Sequence, residues 1–184
     1  MLVAVVGPSG AGKDTLLDGA RARIGAGDGR FRFARRCITR PASAGGEDHE
    51  ALDRDAFLRR RDAGGFALWW EAHGLLYGVP RDVEADLDAG RCVVANLSRA
   101  VLGEAHRLYP LLVLEVTAPA AVLAARLAAR GREDEETIAA RLAREAPLPD
   151  GLRVRRVVND GAVERAVAEV ARALLEAAGE GRGR

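Results

Sequence analysis

Near the amino end, Gly7-Pro8-Ser9-Gly10-Ala11-Gly12-Lys13-Asp14-Thr15 leaves the chain few folds to choose from. It follows an apolar run, Leu2 to Val6, and leads into the helix-forming Leu16-Leu17-Asp18-Gly19-Ala20-Arg21. That order reads as a strand, a phosphate-cradling loop and a helix. The spacing G-x-x-x-x-G-K is what a P-loop requires, because glycines let backbone N–H groups turn toward one point with no Cβ in the way. The point lies at a helix N-terminus, where unpaired N–H groups and the helix dipole favour anions. Lys13 then reaches the β- and γ-phosphates of a nucleotide as a mobile charge. An ordinary Gly-rich turn would need neither the lysine nor the strand.

The slot after such a lysine usually holds Ser or Thr as a Mg²⁺ ligand. Here it holds Asp14, with a hydroxyl one residue later at Thr15. A carboxylate at this place either holds Mg²⁺, directly or through water, or caps the helix. Both readings stand.

Downstream, strands and helices alternate. Phe31 to Ile38 is strand-like and laced with Arg30, Arg32, Arg35 and Arg36, and Thr39-Arg40-Pro41 ends it. Ala42 to His49 reads as a loop, and Asp53 to Arg61 as a short helix resting on Phe57 and Leu58. Phe66 to Ala72 and Leu75 to Pro80 flank a hairpin turn at His73-Gly74. Then come a helix over Asp82 to Ala89, a buried strand over Cys92 to Ala95, a helix to Leu108, a strand over Leu111 to Val116, and a helix opened by Pro119 over Ala120 to Arg130. A charged stretch leads to a helix from Glu135 to Glu145, a strand over Val154 to Val158 and a terminal helix to Ala178. The tail from Gly179 to Arg184 is expected to be disordered.

Such alternation predicts an α/β protein with a parallel sheet covered on both faces, one domain of 184 residues. Ligands in these sheets bind at the carboxyl ends of the strands. The P-loop, Thr39-Arg40, Asn96-Ser98-Arg99 and Asn159-Asp160 all follow strands there and should converge. A net charge of +1 gives no general pull toward nucleic acid or a membrane. No apolar run approaches the roughly 18 residues of a membrane span, and a strand starting at residue 2 leaves no room for a signal peptide, so a cytoplasmic location is expected. Cys37 and Cys92 read as buried thiols, without the ligand spacing of a metal site.

Several segments together resemble the guanylate-kinase-like branch of the P-loop nucleoside monophosphate kinases, in order and over nearly the whole chain. They are Gly7 to Thr15; Ile38-Thr39-Arg40-Pro41 with Gly46-Glu47-Asp48; His73-Gly74-Leu75-Leu76-Tyr77-Gly78-Val79-Pro80; Arg126 to Arg132 with Ala140-Arg141-Leu142; and Val158-Asn159-Asp160. The resemblance implies a three-layer α/β/α core (residues 1–34 and 81–178), a small acceptor-binding lobe near residues 35–80 and a lid near residues 130–142. Two positions depart from the pattern. The glutamate that pairs with guanine in that branch falls on Leu68, and the hydroxyl residue after Tyr-Gly falls on Val79. Aliphatic groups there would strand the base's donors, at roughly 1 to 3 kcal/mol each, which disfavours GMP. Asn96-Leu97-Ser98-Arg99 replaces the branch's acidic strand end, and Lys-Asp in the P-loop is similar to a member type that phosphorylates a sugar phosphate.

For the site, the resemblance implies ATP and Mg²⁺ as cofactors, with Asp14 as metal ligand and Lys13, Arg130 and Arg141 catalytic. Gly7, Pro8, Ser9, Gly10, Ala11, Gly12, Lys13, Asp14, Thr15, Arg126 and Asn159 hold the nucleotide. Arg40, Tyr77, Asn96, Ser98 and Arg99 hold the acceptor, Arg99 at a second phosphate. The partner is a small sugar phosphate, with no nucleic acid and no membrane, and the assembly a monomer or homodimer. Plainer readings remain for some positions: Arg126, Arg130, Arg141 and Arg144 as a solvated helix face, Tyr77 as a core aromatic, Asn159-Asp160 as a turn, Trp69 and Trp70 as packing. A nucleotide kinase and an inactive protein-binding module stay open as rivals.

Overall fold

The computed structural model describes residues 1–25, 27–44, 47–129 and 147–180. Its core is a five-stranded, all-parallel sheet: β1 (Leu2–Val6), β2 (Phe31–Phe33), β7 (Cys92–Asn96), β8 (Leu111–Thr117) and β9 (Val154–Val158), in the order β2-β7-β1-β8-β9. Every residue of β1 is buried, as a central strand with helices on both faces demands. One face carries Val3, Val5, Leu112, Leu114 and Val116 against α1 (Lys13–Ile24) and the terminal helix α6 (Val163–Glu180). Helices α3 (Val83–Asp88), α4 (Leu102–Leu108) and α5 (Ala120–Ala128) complete the crossovers.

A second sheet has the order β4-β3-β6-β5, built from β3 (Cys37–Ile38), β4 (Glu50–Ala51), β5 (Phe66–Ala72) and β6 (Leu75–Pro80). The turn between β5 and β6 puts His73 at φ 53° and Gly74 at φ 72°. Two successive left-handed residues match the twist of the strands they join. One face of this sheet buries Cys37, Phe66 and Leu76 under Phe57 of α2 (Arg54–Asp62). The N-cap of that helix, Asp53, accepts from the Ala56 N–H at 2.6 Å, which satisfies one of the first turn's unpaired donors. The other face lays Leu68, Trp70 and Val79 onto Ala4 and Val6 of the core sheet and Leu97 and Val101 just beyond β7, so the two sheets share one apolar seam.

The structure corrects the sequence reading in several places. Phe31 to Ile38 is not one strand: β2 ends at Phe33 in the core sheet, and β3 starts the second sheet. Within Ala42 to His49, read as a loop, Ala42–Ala44 forms a 3₁₀ turn, and β4 follows at Glu50. Gly179 and Glu180 are helical rather than disordered, because the Glu180 carboxylate is held by Arg153 Nη2 at 2.7 Å. Trp69 is 41% exposed beneath the Arg61 guanidinium, whereas Trp70 is buried as expected. The expected helix from Glu135 to Glu145 lies outside the described residues.

Both cysteines are buried thiols. Burial, then a hydrogen bond to the Glu50 carboxylate, pushes Cys37 up to about 12. Burial alone lifts Cys92 to about 11. Unfolded thiols lose their protons near pH 9 while the folded ones keep them. The unfolded state then binds fewer protons, and stability falls as pH rises. Thermal melting is therefore expected to drop between pH 9 and pH 11, and Cys92→Ala to shrink that drop.

Candidate active site

The loop between β1 and α1 is fixed by sterics and by its neighbours. Gly7 has φ +145°, and a Cβ on it would fall 1.9 Å from the Val116 carbonyl oxygen. Gly12, at φ +86°, is the N-cap residue of α1, and a Cβ on it would meet the Asn159 amide nitrogen at 2.7 Å. Only glycine fits either place. Buried Asn159 donates from Nδ2 to the Ala11 carbonyl at 2.8 Å. Arg126 donates to the carbonyls of Gly10 and Asn159, at 3.3 and 3.2 Å. Asn159 and Arg126, expected at the nucleotide, each hydrogen-bond to the backbone of the P-loop.

Lys13 starts α1 and donates from Nζ to the Gly7 and Pro8 carbonyls, at 2.8 and 3.0 Å. The ammonium therefore stands over the loop whose N–H groups make the anion cradle. Asp14 and Thr15 are exposed in the first turn. Because Gly12 is the N-cap and no side chain caps it, the capping reading of Asp14 is excluded. The Asp14 carboxylate instead accepts from Asn96 Nδ2 at 2.8 Å.

Asn96 ends β7 and joins the two sheets. The same Nδ2 reaches Glu47 Oε2 at 3.1 Å, and Glu47 Oε1 accepts from Arg36 Nε at 2.9 Å. Buried His49 lies between the Glu47 and Arg40 carbonyls, at 3.0 and 3.1 Å from its two ring nitrogens. A chain of polar contacts thus runs from Arg40 through His49, Glu47 and Asn96 to Asp14. Nε and Nη2 of Arg40 are buried and have no hydrogen-bond partner among the described residues. Buried guanidinium donors are costly to leave unmatched, and an anion is the partner they suit. Tyr77 is half-buried at the edge of the apolar seam: its ring stacks on Trp70 with centroids 5.5 Å apart and planes 5° apart, beside the Arg36 guanidinium.

Two expected acceptor residues have partners within the chain. The Ser98 hydroxyl accepts from the Ala100 N–H at 3.3 Å and caps the short turn Arg99–Val101. Arg99 Nη2 donates to Glu115 at 3.0 Å, and Arg156 Nε donates to the same carboxylate at 2.7 Å. Arg130 and Arg141 lie outside the described residues.

The sequence reading missed Glu115, Glu47 and Arg36. Glu115 is 6% exposed. It carried a signal, as the single charge in the apolar run Leu111 to Val116, and a buried carboxylate must be paired. Glu47 stood in a matching segment and Arg36 among the arginines before Thr39, but their pairing across a loop exists only in the folded chain. No cluster of three or more His, Cys, Asp or Glu fit to hold a metal occurs among the described residues. No helix of the described residues is long and apolar enough to cross a membrane.

In overall shape the chain is similar to guanylate kinase from Anaplasma phagocytophilum, with a TM-score of 0.68 at 20% identity, covering 96% of this chain and 84% of that one. That likeness establishes a P-loop kinase fold. No family model matches the chain. It is 52% identical over 173 residues to a bifunctional ribose 1,5-bisphosphokinase-thymidine phosphorylase of Azorhizobium caulinodans, covering 93% of this chain but only 25% of that longer protein. It is 53% identical over 150 residues to ribose 1,5-bisphosphate phosphokinase PhnN of Brucella melitensis biotype 2, covering 81% of this chain and 78% of that protein. With Lys-Asp in its P-loop, aliphatic Leu68 and Val79 in the second sheet, and half its aligned residues shared with that kinase, this chain belongs to the ribose 1,5-bisphosphate phosphokinase family.

Proposed function

We propose that the chain transfers the γ-phosphoryl of ATP to the 1-phosphate of ribose 1,5-bisphosphate, giving 5-phosphoribosyl 1-diphosphate and ADP. A bond forms from an acceptor phosphate oxygen to the γ-phosphorus, and the bridging bond to the β-phosphate oxygen breaks. The acceptor oxygen is already ionised near neutral pH, so no side chain need remove a proton. What remains for the protein is alignment and charge neutralisation.

The P-loop N–H groups and Lys13 hold the donor's phosphates. Asp14 supplies a hard oxygen at the first turn of α1, which fits Mg²⁺, an ion that takes few protein ligands and keeps waters. When bound, Mg²⁺ neutralises charge on the donor's phosphates. Arg40 and Tyr77 take the acceptor. Arg130 and Arg141 close over the transferred group, a role that rests on their motif alone.

The observation that carries this reading is the pair of buried, unmatched donors on the Arg40 guanidinium, in a residue whose backbone carbonyl is joined through His49, Glu47 and Asn96 to the P-loop helix. Leu68 and Val79, 2% and 1% exposed, face each other across β5 and β6. They offer a base edge no polar group, which disfavours a purine acceptor. Incubation with ATP, Mg²⁺ and a panel of acceptors, read by phosphorus NMR, tests it. A diphosphate product is expected from ribose 1,5-bisphosphate, and turnover of GMP in its place would overturn the reading. Arg40→Ala is expected to raise KM for the sugar about 10- to 100-fold and leave KM for ATP within about twofold. Initial-rate kinetics check the split.

A further inference from the structure

The acceptor named above carries a phosphate at each end, and one arginine with unmatched donors accounts for one of them. Arg99, the expected partner of the other, donates from Nη2 to the buried carboxylate of Glu115 at 3.0 Å. A further guanidinium stands four positions before Arg40 in the chain.

The second sheet supplies it. Side chains alternate along a strand, so Arg36, directly before β3, lies on the face of Ile38 and of Tyr77, its register partner, while Arg40 follows β3 in a bend. Trp70, the partner of Tyr77 on β5, shares that face too. The Arg36 guanidinium sits 5.5 Å from the Trp70 ring centre and 5.3 Å from that of Tyr77. Both rings hold it through their electron-rich faces. Arg36 and Arg40 flank β3, four positions apart in the chain.

The hydrogen bonding of Arg36 is one-sided. Nε and Nη2 both go to one oxygen, Oε1 of Glu47, and Nη1 makes no hydrogen bond with the described residues. Glu47 is fully used: Oε1 by Arg36, Oε2 by Asn96. The carboxylate thus cancels the charge of Arg36 and fixes its plane, while one edge of the fork stays available. A planar guanidinium engages a phosphate through such an edge.

Building on the proposed function, we propose that Arg36 and Arg40 divide the two phosphates of the acceptor, one guanidinium to each. Glu47 is the counter-ion that orients Arg36 before the anion arrives. The pair makes the site selective for a doubly phosphorylated sugar over a singly phosphorylated one.

Calorimetric titration of the full chain with ribose 1,5-bisphosphate, ribose 1-phosphate and ribose 5-phosphate tests this. Wild type is expected to bind the bisphosphate about 10- to 100-fold more tightly than either monophosphate, the worth of one charge-assisted contact. Arg36→Gln is expected to erase the advantage over one monophosphate while keeping that ligand's own affinity within about twofold. Arg40→Gln is expected to do the same for the other. A bisphosphate preference that survives Arg36→Gln overturns the proposal, as does an equal loss against all three ligands.

Glu47→Gln keeps both arginines and reports even where Arg36→Gln melts early. Removing a negative charge beside a bound phosphate is expected to tighten bisphosphate binding severalfold, and weaker binding would mark the Arg36–Glu47 pair as architecture and overturn the proposal. Failure of the proposed function would show separately, as wild type that binds the bisphosphate with the expected preference but forms no diphosphate from it.

Discussion

Lys13→Ala lowers turnover by about 10³-fold or more, with the fold intact. The ammonium stands 2.8 and 3.0 Å from the Gly7 and Pro8 carbonyls, over the loop that cradles the donor's phosphates. In phosphoryl transfer, charge builds on the bridging and terminal oxygens as the bond to the leaving group breaks, and a fixed cation there stabilises the transition state more than the ground state. Removing it takes away two hydrogen bonds to carbonyls that solvent can replace, so the loss of stability stays at about 1 kcal/mol. A coupled assay for ADP release gives the rate, and thermal melting the stability. Activity within tenfold of wild type would take the P-loop out of the mechanism.

Gly7→Ala damages the protein itself. The new Cβ would lie 1.9 Å from the Val116 carbonyl oxygen, an atom of the central sheet that no rotamer change can move aside. The backbone at φ +145° is also one that a residue with a side chain adopts only under strain. Together these cost about 3 to 5 kcal/mol, which in a chain of this size lowers the melting temperature by about 10 °C. The chain yields by moving the loop, so nucleotide binding is lost along with stability. Melting unchanged within about 2 °C would mean that the loop takes up a different path.

The alternation of core strands and helices and the P-loop were legible because each rests on local rules: apolar runs of strand length and glycines at fixed spacing. The second sheet was harder to read. Cys37–Ile38 and Glu50–Ala51 are two-residue strands, too short for any periodicity, and exist because β6 offers a partner to β3. Side-chain destinations were the least legible. Arg99 follows a strand at the ligand-binding end of the sheet, as a phosphate ligand would. It is drawn away by Glu115, which is adjacent in space and 16 positions distant in sequence. Asn159 looked like part of a turn or a base-side loop, and its amide instead supports Ala11, 148 positions earlier. Motif spacing gives the backbone position of such residues, whereas the partner that claims the side chain is known only once the sheet is assembled.

The apolar seam between the two sheets restricts how the catalytic cleft can shut. Leu68, Trp70 and Val79 lie against Ala4, Val6, Leu97 and Val101, so swinging the smaller sheet as a rigid jaw would wet every one of those side chains. For the proposed sugar acceptor, a closing motion that keeps this seam dry would leave the smaller sheet where it packs.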